Sequence, residues 1–278
     1  MEYHGPWTEQ CLHYYWLEQG YAEHPELVND YILIPVPWTD IMAKRGGRAD
    51  FSDLQKLMDD SLDPAKKYFT VVEHEFGLPV TMPDNVRVYA SDGIGQIPLP
   101  LLKKELSRST ATRDILCSFM GRGLDEPQHG CDVRMKMYAA LRDDPTITML
   151  PSGGVVAYND MIERSIFSLC PRGSGPTSYR LYESLQTGSI PIYIWEDSRW
   201  IPYTDSLDWS TFAIVIHVDE LDTLSDRIHA IADDPERLAS MTAKVAELVP
   251  EWFTYEAVNH RIVRHLCGSY TADLPTVK

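Results

Sequence analysis

Short apolar runs punctuate the chain at intervals that suit strands separated by helices. DYILIPV (Asp30 to Val36), YFTVVEH (Tyr68 to His74) and VRVYA (Val86 to Ala90) come first. ILCSFM (Ile115 to Met120), TITML (Thr146 to Leu150), IFSLC (Ile166 to Cys170), IPIYI (Ile190 to Ile194) and FAIVIHV (Phe212 to Val218) follow. Each is short and apolar, the signature of a buried strand. Apolar positions at helical spacing run through Glu9 to Gln19, Asp132 to Leu141, Val156 to Arg164, Ser178 to Thr187, Leu221 to Ile231, Pro235 to Leu248 and Trp252 to Leu266. Strand and helix alternate most regularly after residue 114, the pattern of a parallel sheet wrapped by helices. The first hundred residues follow the same rhythm, more broken by Pro and Gly. The basic, hydroxyl-rich LPLLKKELSRSTATRD leads straight into a strong strand and predicts a domain joint at about residue 108. The expectation is therefore α/β, with one domain over 1–108 and a second over 109–278. Two such halves predict a ligand cleft between them.

One stretch interrupts the apolar pattern with dense polar chemistry. IFSLCPRGSGPTSYRLYESLQTGSIPIYI (Ile166 to Ile194) begins and ends as a core strand. The two prolines and two glycines of PRGSGPT stop the first strand and force a loop. Thr177 or Ser178 then caps a helix, with Leu181, Tyr182 and Leu185 at core spacing and Gly188 just past its end. Free N–H groups and the helix dipole make such an amino terminus an anion site. Arg180 opposes that dipole, which a bound anion explains, and Glu183 lies one turn on along the same face. The alternative is a surface Arg–Glu pair, worth about 0.3 kcal/mol. Arg172 in the same loop favours a ligand: guanidinium and N–H groups for a diphosphate, a carboxylate for ribose hydroxyls. ILCSFMGRG offers a second strand-to-glycine turn at Gly121, Arg122 and Gly123. It is neither GxGxxG nor a Walker motif.

Composition narrows the partners. With 41 acidic and 25 basic residues the formal charge is −16. That opposes nucleic acid or an anionic membrane as the main partner, so an anion site must be locally basic. No run of about 18 apolar residues is present, so no membrane span is expected. MEYHGPWTEQCLHYYW lacks the basic and apolar segments of a signal peptide. The five cysteines show no CxxC spacing and read as reduced thiols. A soluble cytoplasmic protein is the expectation.

SIFSLCPRGSGPTSYRLYESLQTGSIPIYIWED, followed by WIPYTDSLDWSTFAIVI, resembles the exostosin family of glycosyltransferases, including its short viral and algal relatives. The shared order is a strand into Pro-x-Gly, Ser-x-Arg-x-x-Glu, Gly-x-Ile-Pro, an acidic pair, a Pro-Tyr and an Asp-Trp. ILCSFMGRG is similar to the segment opening the family's donor domain. YILIPVPWTD, YFTVVEHEFG and VRVYASDGIGQIPLPLL look like the acceptor half of short, soluble members. The resemblance implies a GT-B architecture of two Rossmann-like domains facing a cleft, with a last helix that crosses back to the first. It implies inverting transfer from a UDP-sugar to a glycan or glycoprotein hydroxyl. Family donors include xylose, galactose, arabinose, glucuronic acid and N-acetylglucosamine, and xylose is the one leaned towards. By position, Gly121, Arg122, Arg172, Gly173, Ser174, Thr177, Ser178, Arg180 and Glu183 would bind the donor, and Glu196 and Asp197 would face its sugar. No Asp-x-Asp metal motif is present; arginines and a helix terminus can stabilise a leaving diphosphate, so neither metal nor cofactor is expected.

Inversion also needs a group to take the proton of the attacking hydroxyl. VVEHEFG offers Glu73, His74 and Glu75, and strand alternation puts the two glutamates on one side. Glu75 is the expected base, with Glu73, Asp40 and Asp92 in reserve. Trp195, Trp200 and Tyr203 suit either sugar stacking or packing, while His260 and His265 have no ligand spacing. Two rivals remain: a non-catalytic sugar-nucleotide or glycan-binding module, and a retaining GT-B transferase.

Overall fold

The computed structural model describes residues 7–93, 95–103, 106–127, 131–268 and 274. Its strands are β1 (Tyr31–Leu33), β2 (Lys67–Val72), β3 (Val86–Ala90), β4 (Ile97–Pro98), β5 (Ile115–Met120), β6 (Ile147–Leu150), β7 (Ser165–Pro171), β8 (Ile190–Trp195) and β9 (Ile214–His217). The helices are α1 (Thr8–Glu18), α2 (Trp38–Arg45), α3 (Ser52–Ser61), α4 (Val133–Leu141), α5 (Gly154–Arg164), α6 (Tyr179–Thr187), α7 (Leu224–Ala232), α8 (Pro235–Trp252) and α9 (Tyr255–Leu266). They form two compact units, one of Met1–Lys103 with Thr254–Lys278, the other of Lys104–Phe253.

In the first unit the sheet runs β1-β2-β3-β4, every pair parallel. All residues of β2 from Tyr68 to Val72 are buried, as expected of a parallel strand covered on both faces. The strand predicted through His74 ends at Val72, and β1 ends at Leu33, ahead of Pro35 and Pro37. Two helices that the spacing did not predict, α2 and α3, fill the β1–β2 crossover. Trp38 begins α2; it is fully buried, and its indole N–H donates to Thr70 Oγ1 at 2.8 Å. The last helix also belongs here. It buries Val258, Ile262, Val263 and Leu266, and His265 Nδ1 shares a 2.6 Å hydrogen bond with the Tyr89 hydroxyl of β3.

The second unit is a five-stranded parallel sheet in the order β6-β5-β7-β8-β9. The chain steps from β5 out to β6, then crosses back over β5 to β7. The strand order therefore reverses between β5 and β7, the place where open α/β sheets bind ligands, beyond the carboxyl ends of the strands. Each of the two parallel sheets is the core of a Rossmann-like α/β unit. Two helix boundaries differ from the expected ones. The segment from Leu221 opens as a 3-10 turn over Val218–Thr223 before α7 starts. Helix α8 continues through Pro250 to Trp252; the proline forfeits one helical hydrogen bond, and Trp252 is packed against Tyr203, ring centroids 5.1 Å apart.

Candidate functional site

At the reversal point of the second sheet, β5 ends at Met120 and β7 at Pro171. After β7 the chain turns through a tight loop in which Gly173 N–H donates to the Thr177 carbonyl at 2.7 Å. The Tyr193 hydroxyl of β8 pins this loop through the Pro176 carbonyl at 2.8 Å. Ser178 has extended backbone and stands at the position preceding α6, which Gly188 ends in a left-handed conformation at φ 89°. The Ser178 Oγ is buried and, among the described residues, has no hydrogen-bond partner. Arg180 follows in the first turn. Its guanidinium donates to the Met120 carbonyl and lies over the rings of Phe119 and Tyr158, at 4.5 and 4.6 Å. Gly121 lets it approach: a Cβ there would sit 3.3 Å from Arg180 Nη2 and 3.0 Å from Phe119 Cζ. Glu183 makes no pair with Arg180; it accepts the Tyr158 hydroxyl.

A second guanidinium shares this corner. Arg134, in the first turn of α4, donates to the carbonyls of Arg172 at 3.3 Å and Arg122 at 3.1 Å, and lies 5.7 Å over the Phe119 ring. Burial, and then the charge of Arg180, push its pKa down. Among the described residues neither Arg134 nor Arg180 meets a carboxylate. Arg172 itself turns the other way, donating to the Gly175 and Ser174 carbonyls and pairing with Asp197 at 2.8 Å. Lys136 of α4 bonds Glu196 at 2.8 Å and Asp132 at 3.0 Å, which hold its pKa well above the ordinary lysine range. Ser174 and Arg122 are exposed at their loops. Trp195 packs on His217 at 4.5 Å, and Tyr203 packs on Trp252 and Phe253.

In the first unit, carboxylates gather where β2 meets the starts of α1 and α2. Glu9 is fully buried and accepts Thr39 N–H at 3.2 Å, Thr39 Oγ1 at 2.5 Å and Glu73 N–H at 3.0 Å. Burial pushes its pKa up to about 8, against the lowering effect of those donors. Glu73, 3% exposed, accepts Thr8 N–H at 2.6 Å. Asp40 accepts the Trp7 indole at 2.6 Å and the Gln10 amide at 2.8 Å. Each helix start is thus held by an acid from the other helix or from the end of β2. Glu75 differs: its side chain is 35% exposed, 3.9 Å from His74 Nδ1. Because β2 has already ended, alternation does not apply, and Glu73 and Glu75 occupy unlike surroundings. His74 Nδ1 accepts Phe76 N–H at 3.3 Å, which puts the proton of the neutral ring on Nε2; burial lowers its pKa, partly offset by Glu75. Asp92 is 8% exposed in the turn after β3. Among the described residues no group of three or more His, Cys, Asp or Glu is placed to hold a metal ion. Nor is any described helix long and apolar enough to cross a membrane.

A model of the Exostosin GT47 domain matches residues 80–231, more than half of the 278-residue chain. The chain belongs to the exostosin GT47 family. A protein of Oryza sativa subsp. japonica named "Probable glucuronosyltransferase" is 28% identical over 165 residues, which are 55% of this chain and 39% of that protein. A "Probable beta-1,4-xylosyltransferase" of Arabidopsis thaliana is 30% identical over 172 residues, 58% of this chain and 41% of that protein. The chain thus spans less than half the length of either relative. Among solved structures, S. aureus TarM superposes with a TM-score of 0.46 at 8% identity, over 75% of this chain and 52% of that one.

The exostosin match takes in every donor-side residue named from the sequence and Asp92, and leaves Asp40, Glu73 and Glu75 outside. Four members of the donor-side corner escaped the sequence reading: Phe119, Arg134, Lys136 and Tyr158. One of them carried a legible signal. Arg134 stands in the second position of its helix, as Arg180 does in α6, so the argument from an opposed dipole applied to both. Tyr158 carried none, because its partners lie on another helix. The Asp-Trp of the motif has a structural use: Asp208 caps the turn over Trp209–Thr211, and the Trp209 indole donates to the Pro202 carbonyl at 2.9 Å.

Proposed function

We propose that this exostosin GT47 protein is an inverting glycosyltransferase that moves a sugar, xylose by preference, from a UDP-sugar to a hydroxyl of a glycan or glycoprotein. One observation carries the reading. In a chain of formal charge −16, two part-buried guanidiniums, Arg134 and Arg180, sit at the reversal point of a parallel sheet with no described carboxylate to neutralise them. Partly desolvated positive charge of this kind calls for an anion. A diphosphate at the start of α6 would meet both arginines, the Ser178 hydroxyl and the first N–H groups of the helix. Glu183 would take ribose hydroxyls. The same guanidiniums would stabilise the charge that develops on the departing UDP, with no metal ion in the scheme.

Charge at the end of β8 supports an uncharged sugar. Lys136 already serves Asp132 and Glu196, and Arg172 serves Asp197, so the acids there outnumber the cations. A uronic acid carboxylate placed beside them would be repelled. Glu75 is assigned as the base that accepts the proton of the attacking hydroxyl. Glu73 and Asp40 hold helix starts, whereas Glu75 keeps a solvent-accessible carboxylate. The test is a thermal-shift panel of UDP-sugars with product analysis. UDP-xylose should raise Tm by mass action and UDP-glucuronate should raise it less at equal concentration; Glu75→Gln should abolish transfer and leave UDP binding within about twofold, and the product should have inverted stereochemistry. Absence of a shift with any UDP compound rejects the donor assignment; full activity in Glu75→Gln rejects the base.

A further inference from the structure

We infer that Tyr158 is a positioning residue of the donor site, keeping Arg180 and Glu183 apart and aligned for the diphosphate and the ribose of one nucleoside diphosphate. The inference rests on the donor reading above. Arg180 and Glu183 stand one turn apart on α6, the spacing at which opposite charges meet. Left alone, they would neutralise each other, and neither would be available to a ligand. In the structure they do not pair. Tyr158 of α5 occupies each of them with a different part of its side chain. Its ring lies 4.6 Å from the Arg180 guanidinium carbon, and its hydroxyl donates to Glu183 Oε2.

The chemistry of the two contacts suits separate tasks. A ring face satisfies a guanidinium without consuming its N–H donors, so those not spent on Met120 remain in the guanidinium plane for phosphate oxygens. A phenol hydroxyl occupies one carboxylate oxygen and leaves the other, Oε1, to accept from a ribose hydroxyl. Burial pushes the phenol pKa well up, so the hydroxyl remains protonated and donating at neutral pH. Phe119 supports the guanidinium at 4.5 Å, which fixes its plane from β5 as well as from α5.

The experiment is calorimetric binding of UDP and of inorganic pyrophosphate to the full chain, with Tyr158→Phe and Tyr158→Leu. Phe keeps the ring and removes the hydrogen bond to Glu183; Leu removes both. In Tyr158→Phe, UDP affinity should fall about tenfold, the scale of a hydrogen bond to a charged group, while pyrophosphate affinity stays within about twofold. In Tyr158→Leu both ligands should weaken about tenfold or more, as Arg180 collapses onto Glu183. A merely structural role would move both ligands together in both variants. If Tyr158→Phe binds UDP as the wild type does, or loses UDP and pyrophosphate equally, the inference is overturned while the donor reading stands. If the wild type binds neither ligand, both fall.

Discussion

Replacing Glu9 with Gln removes the titration of a fully buried carboxyl that holds the starts of α1 and α2 to the end of β2. In the folded chain burial raises its pKa from 4.5 to about 8. Over that interval the folded protein keeps a proton that the unfolded chain has released. Stability therefore falls as pH rises from about 4.5 to about 8, and levels off above the folded value. At about 1.4 kcal/mol per pH unit the full interval corresponds to a ceiling of about 5 kcal/mol, and relaxation around the ionised group should reduce the observed effect to a few kcal/mol. Gln keeps a carbonyl oxygen for Thr39 and the Glu73 N–H and cannot ionise. The assay is urea unfolding of wild type and Glu9→Gln at about pH 5 and about pH 8, followed by tryptophan fluorescence. At the lower pH the two should agree within about 1 kcal/mol. At the higher pH the variant should be the more stable by a few kcal/mol. Parallel curves across this range, or a variant that loses ground as pH rises, would refute the reasoning.

Arg180→Lys should weaken UDP binding about a hundredfold by calorimetry, since an ammonium lacks the planar fork and stacks poorly on Phe119 and Tyr158; a loss under about threefold would reject Arg180 as a phosphate ligand. Trp38→Phe should cost about 1–2 kcal/mol in urea unfolding, from the lost bond to Thr70 and the space left beside it; an unchanged midpoint would mean the buried indole N–H is worth nothing there.

Much of the fold was readable because the second unit obeys local rules. ILCSFM coincides with β5 to the residue, and Ser178 and Gly188 bracket α6 at the positions expected, although the Ser178 hydroxyl makes no capping hydrogen bond. The first unit was harder. Helix α2 is a single short segment, WTDIMAKR, whose start is fixed by the burial of Trp38 and by Glu9 from another helix rather than by a capping residue of its own. The strand-alternation argument failed at Glu73 and Glu75 because the ladder ends at Val72, a limit set by tertiary context. In the candidate site, charge opposed to a helix dipole was legible in Arg180. The contacts of Tyr158 with Arg180 and Glu183 were not, since no spacing rule links residues on two different helices.

The placement of α9 bears on how the molecule is made. The residues of the second unit are contiguous, whereas the first needs Thr254 onward to cover its sheet. During vectorial synthesis the second unit can mature as soon as its own stretch has emerged, while the earlier-made first unit waits for Val258, Ile262 and Val263 to arrive. A premature stop codon shortly before residue 254 would then leave the later-translated half folded and the earlier one exposed to proteolysis.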